Sequence, residues 1–305
     1  MTLFLGIDGG GTKTECIIGD EERLLGASVE GTIKIKKVGT DAARQALESA
    51  INSVCKQAGV RPADIARTCI GLAGSSIPEV SDWAYRVLRQ LVSGEVAVVN
   101  DTLIAHRAAF NGGPGVLVIA GTGSNVLGID EQGETARAGG WGPIISDEGS
   151  GFWIGRTTVA QAMRAHDVGS TTELLNAVMR AWKLSSLEEV VSMANSNPPP
   201  DFASLLPEVL RCADSGDALA REILSTAANE LAQLARIVIC KLWPTNDKVT
   251  VAVTGGVFSY SPQIRQMFAD SLRAERSGIQ VNPEPVHPVL GALSIARSMS
   301  VSANT

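Results

Sequence analysis

Three consecutive glycines, Gly9, Gly10 and Gly11, stand between an apolar run at residues 3–8 and a second strand-like run at 12–19. Apolar segments on either side of a stretch without Cβ atoms read as a hairpin with a glycine tip. The arrangement returns further on. An apolar strand at 115–120 meets the tip Gly121-Thr122-Gly123, and a returning strand follows at 125–130. Strand, glycine turn and strand, written twice, predict one architectural unit used twice.

At 305 residues the chain is too long for one core and comfortable as two domains. The first hairpin is followed by a third strand at 24–30 and a helix at 40–58, whose rhythm runs through Ala46, Leu47, Ala50, Ile51 and Val54. Strands at 68–73 and 96–99 flank a helix at 80–91, which describes a mixed α/β layer domain. Beyond Gly151 helical patterns dominate to Leu242, broken by Pro198-Pro199-Pro200 and by Ser215-Gly216. A strand at 248–254 ends in Gly255 and Gly256, and a helix spans 289–299. The cluster Gly112-Gly113-Pro114-Gly115 places the division there. The expected domains are 1–113 and 114–305, with a terminal helix at 289–300 packing back on the first.

The net charge of -6 and a pI near 5.2 accompany no dense basic cluster, the richest run being Lys34, Lys36 and Lys37. Nucleic acid is therefore not an expected partner. The five cysteines, Cys16, Cys55, Cys69, Cys212 and Cys240, lie too far apart for a disulfide framework or a zinc or iron–sulfur ligand set. They read as small buried hydrophobes in a reducing compartment. The chain enters an apolar strand at Leu3 without a basic leader, and no apolar run approaches the roughly 20 residues of a membrane span. A soluble cytoplasmic protein is expected. His106, His166 and His287 share no metal-ligand spacing and suit surface or packing roles.

The glycine turns carry chemistry as well as shape. Without Cβ atoms, the backbone N–H groups of Gly9, Gly10 and Gly11 can approach an anionic oxygen; Thr12 adds a hydroxyl, and Asp8 is placed to hold Mg²⁺ through water. The same segment also reads as an ordinary hairpin turn, since Asp-Gly is a favoured turn pair. It is not a Walker A loop, because no Gly-Lys-Ser/Thr follows at the required spacing. Gly121, Thr122, Gly123 and Ser124 offer a second N–H concavity or, again, a plain hairpin. Asp101 follows an apolar strand, where α/β sheets open their ligand crevices, and could take a proton from an attacking hydroxyl; it could equally cap the helix that follows. The run from Gly139 to Gly151 packs five glycines, Trp141 and the acidic pair Asp147-Glu148 into thirteen residues. Trp141 can cover a sugar ring while the carboxylates accept from its hydroxyls, or the acids can cap the next helix.

Taken in order, GIDGGGTKTE (6–15), NDTLIAH (100–106), IAGTGSN (119–125), GGWGPIISDEGSG (139–151), VTGGVF (253–258) and PVLGAL (288–293) carry a family resemblance. The chain resembles the actin, sugar-kinase and heat-shock-chaperone ATPase superfamily, and within it the N-acetylglucosamine kinases, which share a grouping with the ATPase subunits of benzoyl-CoA reductase. The resemblance implies two ribonuclease-H-like α/β domains around an interdomain cleft that holds ATP and Mg²⁺. It implies that Gly9, Gly10, Gly11, Thr12 and Lys13 form a first phosphate segment and Gly121, Thr122, Gly123 and Ser124 a second. Adenosine would lie at Gly255 and Gly256. Asp101 matches the catalytic base, Asp8 the water-mediated Mg²⁺ site, and Gly140, Trp141, Asp147 and Glu148 the sugar contacts, with Asp101 also touching sugar. A homodimer is implied as well.

One segment departs from the family. Where a Ser-x-Asn-like stretch usually meets the sugar, this chain has Gly31-Thr32-Ile33-Lys34-Ile35-Lys36-Lys37-Val38-Gly39, with no Asn. Loss of an amide that both donates and accepts changes which substituent is recognised. The expected reaction is transfer of the γ-phosphoryl group of ATP to a hydroxyl of an amino sugar, N-acetylglucosamine first, with a 6-phosphate product. Glucosamine and N-acetylmuramic acid are the alternative acceptors. An energy-coupling ATPase would need an iron–sulfur site, and a sugar-sensing regulator an added DNA-binding element; the sequence offers neither.

Overall fold

The computed structural model describes residues 1–75, 77–245 and 248–299. It comprises two compact units, Met1–Pro114 with the chain from Val286 onward, and Gly115–Pro285. The last position of the expected 289–300 helix lies outside the described residues, as do residues 76, 246, 247 and 301–305 of the expected domains.

The first unit is built on five strands: β1 (Leu3–Gly9), β2 (Lys13–Gly19), β3 (Leu24–Gly31), β4 (Ile65–Leu72) and β5 (Glu95–Asn100). Their order is β3-β2-β1-β4-β5; the first three form an antiparallel meander, and β4 and β5 add parallel to β1. Strand β1 is central and buried along almost its whole length, which is why it reads as a continuous apolar run rather than an alternating one. Leu5 and Ile7 point into a core closed by helices Thr40–Ala58 and Pro78–Leu91. Phe4 points to the opposite face, where Ile104, Val289, Ala292 and Leu293 meet it.

That second face depends on missing side chains. A Cβ on Gly6 would lie 2.4 Å from the Leu293 nitrogen, and one on Gly291 would lie 1.8 Å from the Ile104 carbonyl. Helix Pro288–Ser298 is thereby pressed against β1 on one side and helix Asp101–Phe110 on the other. Its carboxyl end is tied down as well: Arg67 donates to the carbonyl of Met299 at 2.6 Å and lies over the Phe4 ring, and Arg297 donates to the carbonyl of Asp20 at 2.8 Å. A cation at exposed terminal carbonyls also suits the helix dipole.

The second unit repeats the pattern with β6 (Gly115–Ala120), β7 (Ser124–Ile129), β8 (Thr135–Gly139), β9 (Thr250–Thr254) and β10 (Gln280–Asn282). The order β10-β9-β6-β7-β8 is the same topology: an antiparallel meander from β6, then parallel strands on its other side. The expected α/β class and the repeated unit are thus both present. Between β8 and β9 lie helices from Gly151 to Leu242, the longest being Ala218–Leu242. By length and composition this helix could cross a membrane, yet half of its most apolar window is buried, with Ala228, Leu231 and Ala235 fully enclosed in the unit's core.

Gly291→Val tests the close helix crossing. Overpacking of this kind costs about 2 kcal/mol or more, which corresponds to roughly 5 °C in Tm for a chain of this size. Differential scanning fluorimetry should show that loss, and an unchanged Tm would mean that the crossing has room to spare.

Candidate active site

In the first unit the expected residues gather at the carboxyl ends of β1 and β5. Asp8 is the penultimate residue of β1, and the turn to β2 follows it directly. A Cβ on Gly9 would strike Leu72 at 2.3 Å and Ile33 at 2.8 Å, so packing alone demands this glycine. Gly11 is different. A Cβ there would meet nothing closer than the Lys34 stem at 3.9 Å, and its φ is not left-handed. The turn's carbonyls are engaged by side chains: Thr32 Oγ1 donates to the carbonyl of Gly10 at 2.8 Å, and Lys37 Nζ donates to that of Gly11 at 3.4 Å. The N–H groups of Gly11 and Thr12 find no acceptor among the described residues. The segment is thus a hairpin turn and an open anion-receiving surface at once.

Lys13 is largely exposed and ion-pairs with Glu15, its same-face neighbour along β2. The Lys34–Lys37 segment that departs from the family wraps this turn, with Ile35–Val38 forming one helical turn that the sequence did not signal.

Asp101 opens helix Asp101–Phe110, and the capping role is filled by its neighbour. The Asn100 side chain accepts from the Thr102 amide at 2.9 Å and from the Thr102 hydroxyl. Asp101 Oδ1 also accepts from the Thr102 amide at 2.9 Å. Burial pushes the Asp8 carboxyl up to about 7, and the negative charges of Asp101 and then Glu15 push in the same direction, against Lys13. Two carboxylates with an excess of negative charge, beside open N–H groups, suit a divalent cation carrying phosphate. Among the described residues no cluster of three His, Cys, Asp or Glu side chains could hold a metal by itself. His106 is buried in the same helix and packs against Phe110.

In the second unit the corresponding turn is Gly121-Thr122-Gly123, between β6 and β7. Gly151 and Phe152, at the start of helix Gly151–Asp167, donate to the carbonyls of Gly121 and Thr122 at 2.8 and 3.1 Å. The turn's carbonyls are thus engaged by the helix, while the N–H groups of Thr122 and Gly123 have no acceptor among the described residues. A Cβ on Gly121 would meet nothing within 4 Å. Ser124 is buried, its hydroxyl donating to the Glu148 carbonyl at 2.8 Å.

Asp147 joins this turn to the glycine-rich loop. It is buried with a left-handed φ of 65°, its Oδ1 accepts from the Ser124 amide at 3.4 Å, and a Cβ on Gly123 would lie 2.8 Å from its Oδ2. Burial raises its pKa, the Ser124 amide opposes that, and Glu148 adds to it. Glu148 accepts from Ser146 Oγ at 3.0 Å. Neither acid caps the following helix; Ser150 does, accepting from the Trp153 amide at 3.1 Å. Gly140 lies against the Asn125 side chain, and Trp141 stands 76% exposed on the same loop. Gly255, with φ of 101°, abuts Ala120 and Gly121, and Gly256 lies under the Tyr260 ring.

Each unit therefore assembles its own share of the expected residues. Asn100, Glu15 and Tyr260 were not foreseen. An Asn immediately before Asp-Thr is itself a cap signal and could have disclosed Asn100.

Comparison with known proteins gives a consistent picture. The family model described as the BadF/BadG/BcrA/BcrD ATPase family matches residues 5–296. An N-acetylmuramic acid/N-acetylglucosamine kinase of Clostridium acetobutylicum is 30% identical, over 98% of this chain and 99% of that protein. An N-acetyl-D-glucosamine kinase of Dictyostelium discoideum is 28% identical, over 96% and 97%. A solved structure from Chromobacterium violaceum, a provisional N-acetylglucosamine kinase, superposes with a TM-score of 0.76 at 26% identity, over 96% of this chain and 98% of that one.

The Asp8 carboxyl supplies a pH test of the first unit. Folded, it keeps its proton to about pH 7, whereas an unfolded aspartate releases it near about 3.9. The folded form binds the extra proton between those values. Stability from Asp8 is thus complete below about pH 4 and is lost as pH rises through about 7. Without nucleotide, the wild-type Tm should fall between about pH 5 and pH 8 more steeply than that of Asp8→Asn. Parallel curves would show that Asp8 titrates normally.

Proposed function

The chain belongs to the BadF/BadG/BcrA/BcrD ATPase family, and on that premise we propose that it is an ATP-dependent sugar kinase. It transfers the γ-phosphoryl group of ATP to a hydroxyl of an amino sugar, N-acetylglucosamine foremost, giving the 6-phosphate. One observation carries this reading: in each unit, a turn at the carboxyl end of the first strand presents open N–H groups and a glycine whose missing Cβ serves no internal contact. Such a surface suits a polyphosphate.

Gly9, Gly10, Gly11, Thr12 and Lys13 form one phosphate-binding segment, and Gly121, Thr122, Gly123 and Ser124 the other. Gly255 and Gly256 adjoin adenosine. Gly140, Trp141, Asp147 and Glu148 contact the sugar, Trp141 offering its exposed ring face. Asp101 accepts the proton of the attacking hydroxyl. Asn100, next to it, holds the N-cap position, and the Thr102 amide donates to Asp101 Oδ1, which orients the carboxylate. Mg²⁺ at Asp8, through water, supplies neutralisation of phosphate charge. With the metal bound, Asp8 is held ionised. The family likeness supports a homodimer, the Asp8 and Asp101 carboxylates support the Mg²⁺ requirement, and the scattered cysteines support a cytoplasmic location.

An ADP-release assay over N-acetylglucosamine, N-acetylmuramic acid, glucosamine, glucose and mannose tests the reaction. Sugar-dependent release is expected, strongest with N-acetylglucosamine; release independent of every sugar would favour an energy-coupling ATPase. Asp101→Asn should bind ATP nearly as wild type while kcat falls by about 10²–10⁴, the usual worth of a general base. Near-normal turnover would remove Asp101 from the mechanism. Gly121→Ala should leave Tm unchanged and raise KM for ATP severalfold, since the added methyl meets only the ligand. A fall in Tm with ATP affinity intact would contradict that role.

A further inference from the structure

The kinase reading above leaves the lysines after β3 without a role, yet the fold gives them a fixed place. Gly31, the last residue of β3, pairs with Lys13, the first residue of β2, so the chain beyond it starts beside the glycine turn. Two contacts pin it there. Thr32 Oγ1 donates to the Gly10 carbonyl at 2.8 Å and accepts from the Lys34 amide at 3.1 Å. Ile33 is buried, its Cδ1 lying 2.8 Å from where a Gly9 Cβ would stand. The amides of Lys37 and Val38 then close a helical turn on the Lys34 carbonyl, at 2.8 and 3.2 Å.

Both ends of that turn reach Gly11. The Lys34 Cδ is 3.9 Å from the position of a Gly11 Cβ, with its ammonium two bonds further on, and Lys37 Nζ donates to the Gly11 carbonyl at 3.4 Å. Lys36, between them, makes no side-chain hydrogen bond or ion pair among the described residues. Lys34 and Lys37 likewise have no carboxylate partner there, whereas the neighbouring Lys13 is paired with Glu15. In a chain of net charge -6 acids are plentiful, and none is set against this pair. Two ammonium groups held over one residue repel each other, beside N–H groups of Gly11 and Thr12 that find no acceptor among the described residues. An oxyanion relieves the repulsion and supplies the missing acceptor at once.

We propose that Lys34 and Lys37 are phosphate-binding residues peculiar to this chain, gripping an oxygen of the nucleotide's polyphosphate tail above the Gly11 and Thr12 N–H groups. The proposal rests on the kinase reading. Where the family usually offers an amide to the sugar, this chain turns two point charges toward the phosphoryl donor, so its donor affinity depends on phosphate charge more than on the base. Inorganic tripolyphosphate, which has no base, should therefore compete with ATP.

Calorimetric titration of the full chain with ATP, and separately with tripolyphosphate, tests the assignment. Lys34→Gln should weaken both ligands by about 10-fold, the worth of one charge-assisted hydrogen bond. Adding Lys37→Gln should weaken them further, and Lys34→Arg, which keeps the charge, should retain most of the affinity. Lys36→Gln removes the same charge from the same turn and should change neither. Lys34 is exposed and its side chain bonds to nothing described, so its variants should keep the wild-type Tm. In turnover, the double variant should raise KM for ATP and leave KM for the sugar unchanged. ATP affinity indifferent to Lys34→Gln, or an equal loss in Lys36→Gln, would overturn the assignment and leave the kinase reading intact. A rise in KM confined to N-acetylmuramic acid would overturn it too, by showing that the lysines hold the acceptor's carboxylate. Wild type that binds neither ligand would overturn the kinase reading itself, and the phosphate grip with it.

Discussion

Two carboxylates at the carboxyl ends of β1 and β5, the strands on either side of β4, are the constraint on which the rest of the first unit turns: Asp8 and Asp101. Burial first, and the negative charge of Asp101 second, make ionising Asp8 costly, and its raised pKa expresses that cost. The surrounding structure preserves the arrangement. Strand β1 carries Asp8 to the carboxyl end of the sheet, and Asn100 takes the N-cap position beside Asp101. Helix Pro288–Ser298, seated through Gly6 and Gly291, holds β1 and helix Asp101–Phe110 together. A cation bringing phosphate would convert the repulsion into binding, which gives the costly pairing a purpose.

Much of the fold was legible because its starting signals are local. The glycine tips announced both hairpins, and the repeated strand order confirms that the same signal means the same unit. What stayed hidden was short or polar. Strand β8, Thr135–Gly139, has only Ala138 fully buried, and β10, Gln280–Asn282, has no fully buried residue; both lie at sheet edges, where burial imposes little pattern on sequence. The helical turn Ile35–Val38 buries no residue fully and is too short for a periodicity to show.

The site was legible in residue type more than in division of labour. Asn100 and Asp101 are both good caps, and sequence alone does not say that Asn100 holds the N-cap position while Asp101 opens the first turn. Asp147 and Glu148 stood out as an acidic pair. The left-handed backbone that turns Asp147 onto the Ser124 amide depends on tertiary packing and has no sequence signal of its own. The distinction among glycines was equally inaccessible: Gly9 is required by Leu72 and Ile33, whereas Gly11 and Gly121 face open space. Only coordinates separate a glycine the fold needs from one a ligand would need.

The most direct measurement is identification of the product by mass spectrometry and phosphorus NMR after incubating the protein with ATP, Mg²⁺ and N-acetylglucosamine. The account predicts a phosphate ester on the sugar's 6-hydroxyl, formed in equal amount with ADP. ADP accumulating with inorganic phosphate and no sugar ester would contradict it.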